Sequence, residues 1–270
     1  MKSIMIIADG LGGRPTDIDG KTCLQAAATP EIDDLLESRG AAGLMDPIDN
    51  GVRPGSDTAH LSLFGYDPYE YYTGRGVFEA AGIGMELTKD DVCFRTNFAT
   101  IDSDGNIADR RAGRIEEGQD QLEEALSELE SEKYPEVKVR FKRSTEHRGA
   151  LCLTGKDLGG NVTPTDPHEL GIQIPESTGQ DEASRKTAEV LNEVTAQARK
   201  ILDDHPLNKQ RDKEGKKPAN AIIARGSAKY PDLPAVEKRY GVTASVVAAG
   251  ALYIGAARVA GMEYREAEGV

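Results

Sequence analysis

No apolar run in this 270-residue chain approaches the roughly 20 residues that a membrane-spanning helix needs, so no such helix is expected in it. The N-terminus runs straight into a strand-like segment with no basic stretch ahead of it, so no signal peptide is expected and the cytoplasm is the expected compartment. Cysteine is scarce: Cys23, Cys93 and Cys152 are odd in number and widely spaced, which fits neither a disulfide framework nor a zinc ribbon. Cys93 and Cys152 sit in strand-like runs, where core packing in a reducing compartment is the expected role. Positive charge is short as well. Lysine and arginine number 33 against 46 acids, a net charge of −13, so nucleic acid and anionic membrane are not expected partners. There is no internal repeat and no low-complexity tract. With 38% apolar and 29% charged residues the composition is that of a globular protein and not a disordered one.

What is present centres on Pro54-Gly55-Ser56-Asp57-Thr58-Ala59-His60-Leu61-Ser62. Ser56 follows a glycine and opens a helix-like segment, at the positive end of the helix, a position suited to an attacking oxygen and a bound phosphate. Upstream, Ser3-Ile4-Met5-Ile6-Ile7-Ala8 reads as a buried strand ending in Asp9-Gly10, a usual place for a metal ligand in an α/β sheet. Each signal has a plain reading too: a serine at a helix start is commonly only a cap, and Asp-Gly at a strand end only a turn. His60, one turn into the same helix, reads either as a support for the site or as a structural hydrogen-bonder.

Along the chain, Thr29-Pro30-Glu31 opens a helix ending near Gly40, and a short strand is expected over 42–45. This strand-helix-strand opening resembles the start of a doubly wound α/β sheet. The segment 65–76, with four tyrosines, a proline and three glycines, marks a domain boundary. Beyond it, 92–101 reads as a strand, 102–106 as a tight turn and 107–110 as the hairpin partner. A long acidic helix is expected over 115–133, with Leu122, Leu126 and Leu129 on one face. Strands are expected next at 137–141 and 151–153, then a helix over 181–204, a charged loop at 212–217, a strand at 221–224, a short helix over 233–240, a strand at 243–247 and a small-residue helix over 248–262. The second region therefore reads as α+β or mixed α/β.

Arginine is clustered. Asp109-Arg110-Arg111-Ala112-Gly113-Arg114, Glu146-His147-Arg148 and Ala224-Arg225-Gly226-Ser227-Ala228-Lys229 place cations at strand ends. Guanidinium forks are natural receptors for carboxylate and phosphate, so the clusters read as an anion pocket or, equally, as surface ion pairs.

Taken together and in order, Asp9-Gly10, Gly55-Ser56-Asp57, Gly65-Tyr66-Asp67-Pro68, Tyr72-Thr73-Gly74-Arg75-Gly76, Phe94-Arg95-Thr96-Asn97, the Asp109–Arg114 run, Thr165-Asp166-Pro167-His168 and Arg225 through Pro231 resemble the archaeal-type cofactor-independent phosphoglycerate mutases of the alkaline phosphatase superfamily. The resemblance runs through essentially the whole chain. It implies an α/β fold: a partial alkaline-phosphatase-like doubly wound sheet plus an inserted α/β mutase domain. Residues 1–74 would be the N-terminal part of a metal-binding phosphatase domain, 75–262 the inserted substrate-binding domain, and 263–270 the start of a linker back to a further phosphatase half.

The activity implied is interconversion of 3- and 2-phosphoglycerate through a phosphoserine, in glycolysis and gluconeogenesis. Ser56 matches the nucleophile, and Asp9 with Ser56 matches metal ligands for two divalent ions (manganese, magnesium or zinc). Arg95, Asp109, Arg110, Arg114, His147, Arg148, Arg225 and Lys229 match positions in the substrate-binding motifs. Family members continue past residue 270 with an Asp-x-x-x-His segment, an Asp-His pair and a further histidine that supply most of the metal ligands. This chain has only His60, His147, His168 and His205, and Asp204-His205 closes a helix before a proline and is not read as a metal site. The expectation is an incomplete metal centre and little activity in the isolated chain, with a separate polypeptide as a candidate carrier of the rest. The alternative is a non-catalytic phosphoglycerate-binding remnant or partner subunit. Another metal-dependent phosphomutase or phosphatase of the superfamily is disfavoured by the substrate-binding motifs.

Overall fold

The structure, a computed structural model, describes residues 2–16, 18–38 and 40–268. Residues 1, 17 and 39 of the expected first domain and 269 and 270 of the expected linker lie outside the described residues. The chain forms two compact units, residues 1–56 and 57–270.

The first unit holds helices α1 (Cys23–Ala26) and α2 (Pro30–Ser38) and an isolated bridge between Ile18 and Lys21. Helix α2 begins as its sequence predicts, with Pro30 at its first position and the Thr29 hydroxyl donating to Asp33 Oδ1 at 3.1 Å. The two strands expected at 3–8 and 42–45 do not form, and Ile4, Met5, Ile6 and Leu44 are exposed. A strand covered on both faces needs ladder partners at its edges and layers on its faces. The described residues of this unit supply neither.

The second unit opens with the rest of α3 (Ser56–Leu63), then α4 (Pro68–Tyr71) and α5 (Gly76–Gly82). The long strand β1 (Asp91–Ile101) turns through Asp102, whose Oδ1 accepts from the N–H groups of Asp104 and Asn106 at 3.0 and 2.8 Å, into β2 (Ile107–Asp109). Helix α6 (Gln119–Ala125), strands β3 (Lys138–Arg143) and β4 (Arg148–Thr154), helices α7 (Glu182–Asp204) and α8 (Pro206–Lys213) and strand β5 (Ala221–Lys229) come next. Helix α9 (Val236–Tyr240), the two-residue strand β6 (Ser245–Val246), helix α10 (Ala251–Val259) and strand β7 (Glu263–Tyr264) complete the unit.

The fold is mixed α/β. Its five-stranded sheet is antiparallel: β1 is central, with β5 on one edge and β4 and β2 on the other, and β3 outside β4. Only the small β6–β7 pair is parallel among the described residues, and a doubly wound sheet is not formed there, since the segments expected to start it stay unpaired.

Side chains alternate along β1, and both faces are buried. Val92, Phe94 and Phe98 pack with Leu151, Leu153 and Ile222 under α7, through Val190, Leu191, Val194, Ala198 and Leu202. Full burial of each phenylalanine contributes about 2 kcal/mol. Cys93, Ala150, Cys152 and Ala228 face the other way, under α5 and α10. These two helices touch backbone to backbone: a Cβ built on Gly255 would stand 1.7 Å from the Phe78 carbonyl oxygen.

The helix expected over 115–133 is shorter than its sequence pattern. Gly118 enters α6 from a left-handed conformation, and after Ala125 the chain passes through one 3-10 turn and leaves helix. Leu122, Leu126 and Leu129 are buried as the spacing predicts. The next residues are held instead by α7, whose Glu193 carboxylate accepts from Ser131 Oγ at 2.5 Å and from the Glu132 N–H at 2.7 Å.

Candidate functional site

Arg95 lies directly opposite Arg225 on β5, and Asn97, two residues along β1, lies opposite Arg148 on β4. Residues paired in register share a face, as do residues two apart on one strand. The three guanidiniums therefore leave the sheet on one side, the side that α5 covers at its Cys93 end. Arg75, just before α5, joins them. Its Nε donates to Glu79 Oε1 at 2.7 Å, and Arg95 Nη1 stands 3.6 Å from the same oxygen. Gly76 makes this approach feasible, because a Cβ there would sit 2.1 Å from the Cys93 carbonyl oxygen.

Arg110 arrives from the turn after β2. Its Nε and Nη2 donate to the two oxygens of Asp166, both at 2.7 Å, a bidentate pair. Arg225 Nε lies 3.4 Å from Asp166 Oδ2, and its Nη1 lies 3.3 Å from His168 Nε2. Asn97 Nδ2 donates to the Arg110 carbonyl at 3.2 Å and ties the turn to the sheet. Four guanidiniums thus share two carboxylates, Glu79 and Asp166, and the charge of Arg148 acts on Arg95 beside them, in a chain whose overall charge is −13.

The electrostatics register that excess. Burial brings the Arg95 pKa down to about 10; Glu79 opposes the shift, and Arg75, Arg225 and Arg148 add to it. Burial likewise lowers Arg225, against the pull of Asp166 and with the push of Arg110 and Arg75. Asp166 is pulled the other way: burial alone would raise it, but the Arg110 and His168 hydrogen bonds and the charges of Arg110 and Arg225 hold it below the ordinary carboxylate value. His147, buried at the end of the β3–β4 hairpin, has a pKa near 4, first through burial and then through Arg148. Its ring is neutral at pH 7.

Four buried polar atoms here have no hydrogen-bond partner among the described residues: Arg95 Nε, Arg148 Nε, Asn97 Oδ1 and His147 Nδ1. Unmet buried donors cost stability unless something accepts from them. The surrounding loops carry backbone strain as well. Ala112, Arg114, Glu146 and His168 all have positive φ, a conformation that non-glycine residues adopt at a cost of order 1 kcal/mol each. Guanidinium forks and unmet buried donors of this kind have the chemistry to donate hydrogen bonds to a small polyanion and to balance its charge.

The other residues singled out by sequence lie elsewhere. Asp109 Oδ2 accepts from Lys217 Nζ at 2.5 Å and Oδ1 from the Arg111 N–H at 2.7 Å, which shapes the turn that carries Arg110. Arg114 is exposed on that turn. Lys229 pairs with Val92 and shares the α7 face of the sheet, where its Nζ donates to the Leu158 carbonyl at 3.2 Å, so it does not join the arginines. Sequence reasoning left out Arg75, Glu79, Asn97, Asp166 and His168 as site residues. The signal for most of them was present in the Gly74-Arg75-Gly76 and Thr165-Asp166-Pro167-His168 runs.

In the first unit, Ser56 Oγ donates to Asp9 Oδ2 at 3.1 Å, across 47 residues of sequence. Ser56 opens α3 as predicted, and Asp57 behind it is buried, accepting from the Tyr72 hydroxyl at 2.6 Å. Two divalent ions need about four or more ligands each. Among the described residues no three His, Cys, Asp or Glu side chains converge to hold one. Asp204 is engaged by Lys209 Nζ at 3.1 Å, and His205 Nδ1 accepts from the Leu207 N–H at 3.2 Å as a helix cap. The described residues therefore do not by themselves make up a two-ion centre.

A sequence profile described as 2,3-bisphosphoglycerate-independent phosphoglycerate mutase matches residues 38–208. The enzyme of that name from Methanobrevibacter smithii is 44% identical over 273 residues, covering 100% of this chain and 66% of its own length. The Ignicoccus hospitalis enzyme is 46% identical over 97% of this chain and 64% of its own. Among solved structures, the cofactor-independent phosphoglycerate mutase of Thermoplasma acidophilum superposes with a TM-score of 0.70 at 39% identity, covering 96% of this chain and 68% of that one. A Pyrococcus horikoshii protein superposes with a TM-score of 0.78 at 36% identity, covering 97% and 60%. The chain spans about two thirds of the length of the curated relatives it matches.

Proposed function

Because the chain belongs to the 2,3-bisphosphoglycerate-independent phosphoglycerate mutase family, we propose that its arginine face binds phosphoglycerate and that Ser56 is the acceptor of the phosphoryl group. The observation that carries this reading is the convergence of Arg75, Arg95, Arg110 and Arg225 around two carboxylates, with Arg148 on the same face of the sheet and buried Nε–H groups of Arg95 and Arg148 left unmet among the described residues. Carboxylate and phosphate on one small ligand match a set of such forks.

The reaction is interconversion of 3- and 2-phosphoglycerate, in glycolysis and gluconeogenesis in the cytoplasm. Ser56 Oγ takes the phosphoryl group and returns it to the neighbouring hydroxyl, while the arginines hold the glycerate. His147, uncharged at pH 7, gives or accepts one hydrogen bond without adding charge. Asp109, which shapes the turn that carries Arg110, and Arg114 on the same turn are assigned supporting roles in the substrate region; Lys229, on the other face of the sheet, is not. Residues 1–74 are read as phosphatase-domain sequence, 75–262 as the substrate-binding domain and 263–270 as linker. Asp9 and Ser56 are this chain's share of a metal centre whose other ligands lie outside it, whether manganese, magnesium or zinc fills it. A separate polypeptide bearing Asp and His ligands is one candidate source of them, and nucleic acid and membrane are not expected partners. No helix among the described residues is long and apolar enough to cross a membrane.

On its own the chain is expected to bind phosphoglycerate without turning it over. Calorimetric titration with 3-phosphoglycerate tests the binding: Arg225→Ala is expected to weaken it about 10- to 100-fold, as loss of a charge-assisted hydrogen bond does. Equal affinity in the variant would remove the arginine face from the reading. Substantial mutase turnover by the purified chain with manganese and no second polypeptide would overturn its expected inactivity.

A further inference from the structure

On the same side of the sheet as the arginines, two residues from Arg95 on β1 and four from Arg148 on β4, Cys93 and Cys152 stand directly opposite each other. Both are fully buried, both are free thiols, and their sulfurs are 2.6 Å apart. Facing residues on neighbouring antiparallel strands have Cα separations of about 4.5–5.5 Å, inside the range that a disulfide spans. The backbone therefore needs no rearrangement for the two sulfurs to bond.

The pair also has an approach. Met85 Sδ lies 3.8 Å from Cys152 Sγ, and Met85 lines a cavity of ≈ 330 Å³ with Gly84, Leu87, Tyr230 and Arg258. Methionine is unbranched and adaptable, so this one side chain is a movable plug between the cavity and the thiol. None of the residues in the proposed phosphoryl transfer uses either sulfur.

We propose that Cys93 and Cys152 form a reversible redox site, in which a low-molecular-weight disulfide converts the two thiols into one cross-strand disulfide that ties β1 to β4. The Cys152 thiol gives up its proton and its sulfur attacks the small disulfide, whose S–S bond breaks; one half leaves as a thiol and the other stays on Cys152. Cys93 then loses its proton and attacks that mixed disulfide, the Cys93–Cys152 bond forms, and the second half leaves as a thiol. The protein gives up two electrons and two protons, and the oxidant takes them. Burial and the neighbouring Cys152 hold the Cys93 thiol well above its ordinary pKa, so the second step is slow and quickens as pH rises.

The test equilibrates the full chain in excess oxidised glutathione, both from the reduced native state and by refolding from denaturant. Each sample is then denatured, alkylated and mapped by peptide mass. In the expected product the Cys93 and Cys152 peptides are joined and have lost two hydrogens, neither residue is alkylated, Cys23 carries glutathione by exchange at its exposed thiol, and the protein unfolds about 10 °C higher, as closure of a long loop implies. Dithiothreitol is expected to reverse all of this. Met85→Ala is expected to oxidise several-fold faster from the native state, and an unchanged rate overturns the cavity route. Alkylation of both Cys93 and Cys152 after both procedures overturns the redox site, as does a mapped bridge to Cys23. These readouts are independent of phosphoglycerate binding, so the site stands or falls apart from the proposed function.

Discussion

Asp166 shows how a single residue sets the balance of the arginine face. It is buried and holds Arg110 bidentately while steadying Arg225. Replacing it with alanine leaves two guanidiniums with less compensation, and a loss of about 2–3 kcal/mol in urea unfolding is expected. The same change removes the carboxylate that competes with an incoming anion, so inorganic phosphate is expected to bind more tightly to the variant in calorimetry. Opposite signs in the two measurements are the prediction. His147 gives a second. Its folded pKa of about 4 lies below the unfolded value of about 6.5, so between those values the unfolded chain binds more protons. Its share of stability is full above pH 6.5 and is lost as the pH falls toward 4, by up to ~3 kcal/mol. Urea midpoints measured from pH 7.5 to 4.5 are expected to fall less steeply in His147→Gln than in the native chain.

Among the elements, the contact of α5 with α10 is the tightest joint. Gly255→Ala places a methyl against the Phe78 carbonyl and is expected to cost about 3 kcal/mol, read as a lower denaturant midpoint with the slope retained. Elements of the second unit were largely legible in the sequence because their signals are local, as at the strand over 92–101 and the tight turn at 102–106 that leads into β2. The expected helix over 115–133 went wrong where a tertiary partner decided the outcome, since Glu193 of α7 takes the N–H of Glu132 that a continued helix would have used. Strands at 3–8 and 42–45 were read from apolar content alone, which identifies segments that want neighbours and says nothing of whether neighbours are present. At the site, Arg95 and Arg225 were found through their motifs. Asp166 was not, because a carboxylate in an anion site reads as repelling the ligand until its pairing with Arg110 is seen. The meeting of Cys93 with Cys152 was hidden for a similar reason: nothing in a separation of 59 residues reports strand register.

At the scale of the molecule, the two units differ in how much of their apolar surface they bury. In the second, β1, β4 and β5 lie between helical layers, whereas Ile4, Ile6, Leu35 and Leu44 of the first are exposed. Hydrogen exchange is expected to be slow across 91–101, 148–154 and 221–229 and fast across 2–16 and 40–55, as protection tracks burial and pairing. Comparable protection in both stretches would contradict that contrast. The double burial of β1 carries a consequence for descent. Its even positions fill one apolar layer and its odd positions carry Cys93, Arg95 and Asn97, so losing or gaining one residue within 92–97 would exchange the two sets and drive a guanidinium among Leu151, Val190 and Ile222. Length changes between homologous chains should accordingly collect in the turns at 102–106 and 155–180 and leave 91–101 untouched, which makes this strand the ruler against which sequences of the family can be aligned.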